Sequence, residues 1–142
     1  MANNDSGFKI KNLLLVKSSF LRSNDVKFEK DVISDLNIGV EVSVEKNIIT
    51  VAETVYFTQK YNDVEQVNIE VKMVGIFECI GETLLKDYEE FGRINGAAII
   101  FPYIREHITT LSLKAGIGVI IIPPINSVSY THLRAHETLA NL

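Results

Sequence analysis

Apolar and polar positions alternate through the first half of the chain. Leu36, Ile38, Val40, Val42 and Val44 are interleaved with Asn37, Gly39, Glu41, Ser43 and Glu45. That is the period-two pattern of a strand with one face buried and the other wet. Ile49, Val51, Val55 and Phe57, set against Thr50, Thr54, Tyr56 and Thr58, continue it on the next strand. Val67, Ile69, Val71 and Met73 alternate with Asn68, Glu70 and Lys72 and predict a further strand that fades into residues 75–80, with Gly75 read as a bulge. Upstream, Phe8, Ile10, Asn12, Leu14 and Val16 alternate with Lys9, Lys11, Leu13, Leu15 and Lys17, which reads as a mostly buried first strand. Ser23-Asn24-Asp25 supplies a turn, Val26 and Phe28 resume the alternation, and residues 31–35 read as a connection. Lys46-Asn47 marks a tight turn in which Asn47 suits a positive φ, and Tyr61-Asn62-Asp63 marks another. Short turns favour antiparallel neighbours, so the simplest layout is a four-stranded meander.

The period then lengthens. Residues 82–91 have helical composition and predict a short helix, which Gly92 and Gly96 are expected to break. Pro102 suits the opening turn of a longer one. Downstream of it Ile104, Ile108, Leu111 and Ala115 recur at four-three-four spacing, while Arg105, Glu106, Thr109 and Ser112 take the other faces. Gly116 follows at the place of a left-handed C-terminal cap. After it, residues 118–124 form an apolar, β-branched run that Pro123 and Pro124 bar from a central strand. Strands first and helices afterwards give an α+β fold: a four-stranded antiparallel sheet, then a short helix and a long helix packed on one side.

Composition narrows the function classes. With 142 residues there is room for one domain, and 46% apolar with 23% charged residues is a globular profile. A net charge of −4 and a pI near 5.4 argue against a nucleic-acid surface. The longest early apolar run, Leu13 to Val16, is far too short for membrane insertion, and the start MANNDSGFKIKN lacks a secretory layout. Cys79 is the one cysteine, which fits a reducing compartment, and the expected location is cytoplasmic. Chemistry is sparse. His107 beside Glu106 has no nucleophile or second base placed by motif, and reads as a histidine at a helix interface. Gly116-x-Gly118 lacks the third glycine of a dinucleotide site. Cys79 reads as a small buried hydrophobe and Tyr103 as structural. No catalytic residue, metal site or cofactor is expected.

Gly75-Ile76-Phe77, the segment IFPYIREHIT over residues 100–109 and Pro124-Ile125-Asn126 carry a resemblance to the SecB export-chaperone family. Residues 25–29, DVKFE, match more weakly. The resemblance covers residues 8–126. It implies a homotetramer, a dimer of dimers, that holds unfolded preprotein clients and passes them to the translocase motor SecA, with no hydrolysis and no cofactor. A holdase needs exposed apolar surface and open strand edges. The expected client groove takes Ile117, Val119, Ile121 and Ile125 from the proline-bounded segment and Leu36, Val67 and Ile76 as its floor. Family members often line this groove with aromatics where this chain has Leu36 and Val67. Ordinary core or a subunit interface is the competing reading of those residues. The family's acidic SecA-docking positions correspond to Asp25, Glu29 and Glu70, for which a merely solvated face is the alternative.

Residues 1–7 are expected to be disordered. Residues 127–142, SVSYTHLRAHETLANL, lack the family's second long helix and read as a non-native or atypical tail that resembles a translated adapter. His132 and His136 there have helical metal-ligand spacing, of interest only if the tail is native. Three functions are compatible with these features. They are a SecB-type export holdase, a SecB-like chaperone dedicated to one client such as an antitoxin, and a non-chaperone oligomeric α+β domain.

Overall fold

The computed structural model describes residues 7–28, 31–81 and 85–118. Three consecutive strands, β2 (Val32–Glu45), β3 (Ile48–Tyr61) and β4 (Val64–Ile80), pair antiparallel through two-residue turns. Asn62 and Asp63 both take positive φ, 53° and 62°, as a hairpin turn matched to strand twist requires. In the other turn Lys46, not Asn47, is the positive-φ residue, at 57°. The Asn47 side chain instead donates to the Cys79 carbonyl (3.3 Å), pinning the turn to β4. Strand β2 starts at Val32, so most of the expected connection over 31–35 is strand. Ile33 and Asp35 pair there with Lys60 and Thr58.

The sheet order is β1-β4-β3-β2, with β1 spanning Gly7–Arg22. The four antiparallel strands are as expected, but the simple meander is not. Only β2, β3 and β4 meander, and β1 is carried across to β4, a Greek-key arrangement read in the reverse chain direction. The connection from β1 to β2 is the long one among the strands, and it alone has the reach to cross the sheet. The expected burial of β1 is also corrected: none of its residues is buried. It is an edge strand with register shifts between Ile10 and Asn12 and between Leu15 and Lys17. Each shift inserts a residue and moves the alternation to the other face. Leu13, Leu15, Ser18 and Phe20 therefore point to the helix-covered side, while Leu14 stands on the outer face opposite Val74.

One continuous helical segment covers the inner face. It comprises α1 (Leu85–Glu90), a wider π turn (Phe91–Gly96) and α2 (Ala97–Lys114). The expected break at residues 92–96 is thus a change of winding. Pro102 lies inside α2 and not in its opening turn. Its missing donor leaves the carbonyl of Ala98 unserved, and Ala98 and Pro102 are both on the exposed side, where water can take that role. Ile100, Ile104 and Ile108 are fully buried, as are Val51, Val55, Val71 and Phe77 of the sheet. Gly75 is not a bulge. A Cβ there would stand 2.9 Å from Ile100 Cδ1, so its bare backbone is what lets α2 seat. Phe91 stacks on Phe8 at 3.7 Å and meets Phe77 edge-on at 5.3 Å, which ties the π turn to β1 and β4.

Gly116 ends α2 with φ +70°. Its N–H donates to the Leu113 carbonyl (3.1 Å) and that of Ile117 to the Ser112 carbonyl (3.4 Å), the paired bonds of a Schellman cap.

Candidate functional site

Beyond the last turn of α2 the inner face of the sheet continues toward the β3–β4 turn. Leu36 lies opposite Phe57 there, and Gln59 is flanked by Ser34 on β2 and Val67 on β4. The β1–β2 crossover is drawn against this end by side chains. Arg22 donates to the carbonyls of Ala115, Ser23 and Asn24, which joins the end of β1 to the C-terminus of α2. Gln66 clamps the Lys27 backbone at both ends, accepting from its N–H at 2.8 Å and donating to its carbonyl at 2.7 Å. Val26 packs on the core as a result. Gln59 is buried, and its Nε2 has no hydrogen-bond partner among the described residues. A buried amide donor without a partner costs stability. At the same end of the sheet Phe28, Ile33 and Val64 are 62%, 66% and 66% exposed. The inner face here is apolar and largely closed over, with exposed apolar side chains at the same end of the sheet.

The expected groove residues do not all meet here. Leu36 is half-buried on this face, and Val67 shares the face but is closed over. Ile117 is buried as the apolar contact of the Schellman cap, beside partly buried Leu111. Ile76 lies on the outer face, because strand alternation separates it from Val67 and from Phe77. Val119, Ile121 and Ile125 lie outside the described residues. Phe57 and Gln59 are the floor residues that pattern reading passed over. Counting outward from the Lys46-Asn47 turn places Phe57 beside Leu36, so the signal was the register.

Two of the three acidic positions that the resemblance assigns to docking are ion-paired. Glu70, on the outer face of β4, binds Lys17 at 3.0 Å, and Asp25, on the crossover, binds Lys27 at 3.0 Å. Glu29 lies outside the described residues. Tyr56, opposite Glu70, has its hydroxyl pKa raised, first by burial and then by the Glu70 carboxylate. On the inner face Glu53 is completely buried, between Val51 and Val55 along β3 and between Val40 and Met73 across it, and burial raises its pKa well above the ordinary value. His107 shares a hydrogen bond of 2.8 Å between its Nε2 and Ser18 Oγ, fastening α2 to β1. Cys79 is buried. Among the described residues no three metal-binding side chains cluster, and no helix is long and apolar enough to cross a membrane.

The two sheet edges differ. β1 is interrupted by its two register shifts and carries Lys9, Lys11 and Lys17, devices that discourage strand addition. β2 pairs with β3 over 14 residues without interruption and has no lysine, arginine or proline. Its outer edge is a template for an added strand.

The family model described as preprotein translocase subunit SecB matches residues 3–135. An uncharacterized protein of Methanocaldococcus jannaschii is 30% identical over 122 residues, which are 83% of this chain and 78% of that protein. Among solved structures, a SecB-like chaperone of Mycobacterium tuberculosis in complex with a ChAD peptide from the HigA1 antitoxin superposes with a TM-score of 0.73. The identity there is 13%, covering 83% of this chain and 90% of that one. A protein of unknown function from Streptococcus agalactiae gives a TM-score of 0.50 at 7% identity, with coverage of 83% and 98%.

Proposed function

Because the chain belongs to the SecB family, we propose that it is a holdase that keeps unfolded preproteins competent for export and hands them to SecA. The family is one of chaperones and not of enzymes. The observation that carries the reading is the uninterrupted, unpaired β2 edge, beside which half-buried Leu36 lies opposite Phe57 on the inner face. Branched and aromatic side chains accept many sequences, while the edge offers main-chain bonds that no sequence lacks. The reading includes a homotetramer. Ile10, Leu14, Leu15 and Val16 on β1 and Ile99 and Tyr103 on α2 are exposed in the single chain, and large apolar groups in such number suit a subunit interface. It also places the protein in the reducing cytoplasm that a lone cysteine suits.

A second reading is a chaperone dedicated to one client, favoured by the antitoxin peptide bound to the mycobacterial structure. Light scattering of a reduced, denatured client diluted with and without the protein tests both. A general holdase suppresses scattering of unrelated clients at near-stoichiometric amounts, and a dedicated one suppresses only its own. Unchanged scattering with every client contradicts the chaperone reading altogether.

A further inference from the structure

The inner face of the sheet ends in two rows of side chains. Phe20, Ile69, Phe57 and Leu36 form one row, and Arg22, Val67, Gln59 and Ser34 form the last. Leu36 is half-buried and Ser34 exposed, whereas Val67 and Gln59 are buried. Two pieces of chain close on this end of the face and pack on the core. One is the end of α2, through Ala115 and Ile117, and the other is the β1–β2 crossover, through Val26.

The two are held differently. α2 is seated by Ile100, Ile104 and Ile108, all fully buried. Of the two apolar crossover side chains among the described residues, Val26 packs on the core and Phe28 is 62% exposed. The remaining fastening is polar. A register shift between Gln59 and Lys60 leaves Gln66 without a ladder partner on β3, and a bulge of that kind re-aims a side chain. Gln66 is buried as a result, and it grips the Lys27 N–H at 2.8 Å and the Lys27 carbonyl at 2.7 Å. Arg22 holds the start of the crossover through the Ser23 and Asn24 carbonyls and ties it to α2 at the Ala115 carbonyl. A segment with few buried apolar contacts belongs to the part of a fold that opens at low cost. The closed arrangement also carries the penalty of the unpartnered Gln59 Nε2, which water relieves on opening.

We propose that crossover residues 23–28 form a strap that lifts from the last row to admit an unfolded chain and closes again over it, with Gln66 and Arg22 as its latch. The inference rests on the holdase reading. It extends the client site from Leu36 and Phe57 to Val67 and Gln59, which the closed strap hides, and it makes entry depend on a pre-existing open form.

Stopped-flow fluorescence on the full chain tests this. The probe is fluorescein-labelled lactalbumin, reduced and carboxymethylated so that it stays unfolded, and dilution into unlabelled probe reads its release. Gln66→Ala loses both bonds to Lys27, and Arg22→Met keeps the apolar stem without the donors. Each should raise both association and release about three- to tenfold, because a weaker latch eases passage in both directions. Equilibrium affinity should stay within about twofold of wild type. The rates are read on proteins whose far-ultraviolet circular dichroism and mass match wild type, and Arg22→Met carries the test if Gln66→Ala does not fold. Unchanged rates in the folded variants would overturn the inference while client holding stands. Faster release with unchanged association and lower affinity would mean that the crossover touches the client without gating it, and overturns the inference too. Failure of wild type to bind the probe or to suppress aggregation removes the holdase reading, and this inference with it.

Discussion

Glu53 has an ionisable carboxyl on the one face of the sheet that α2 seals from water. Its folded-state pKa is raised by burial, so the folded protein holds that proton more tightly than the unfolded chain does. Stability contributed by the protonated form is complete below the ordinary carboxyl pKa and is lost as pH rises from there toward the folded value. Each unit of separation is worth about 1.4 kcal/mol. Glu53→Gln should therefore flatten the fall in urea midpoint between weakly acidic and neutral pH and raise the midpoint at neutral pH. Parallel profiles for wild type and variant would show that Glu53 is not the group responsible. Glu70 is the opposite case, only half-buried and already neutralised by Lys17 at 3.0 Å. Glu70→Lys should weaken SecA association, leave client holding intact and change stability by less than about 1 kcal/mol. Equal SecA binding by the two proteins in a pull-down titration would remove Glu70 from the docking face.

The elements were legible where alternation is uninterrupted. The interleaving in β2, β3 and β4 specified their faces, and the two-residue turns specified their register, which is why Leu36, Val67 and Glu70 stand on the faces expected of them. In β1 the two inserted residues reverse the alternation twice, and nothing in a run of Leu, Val and Lys announces where a bulge falls. Gly92, Gly96 and Pro102 read as punctuation because each disfavours a helix. Packing overrode that preference: the glycines let the helix approach Val42 and Val51, and the proline stays on the wet side. The end of α2 was legible to the residue, and Gly116 is its weak point. At φ +70° an alanine is strained, so Gly116→Ala should cost about 1–2 kcal/mol. It should also loosen Ile117 and the Arg22 contact, and the loss is read from the thermal melt. An unchanged melt would mean the cap contributes nothing.

At the scale of the whole molecule, strand order decides which surfaces are free. Drawing β1 across to β4 leaves β2 as an open edge and sets a row of exposed apolar residues on the opposite edge. That long-range choice was not readable from local pattern, since turn length fixes neighbours only where turns are short. The proposed client site was half legible. Leu36 followed from alternation, but Phe57 and Gln59 emerge only once the strands are in register. If the β1 edge is an assembly surface, Leu15→Glu should lower the mass found by light scattering coupled to size exclusion while the chain stays folded. An unchanged mass would move the interface elsewhere.

Hydrogen–deuterium exchange of the protein with and without a reduced, denatured client addresses the central claim, that unfolded chain lodges at the furrow end of the inner face and along β2. Slowed exchange is expected over residues 32–42 and 23–28, with β4 and the buried turns of α2 unchanged. A client that is held while the β2 and crossover amides exchange as fast as in its absence would contradict the account.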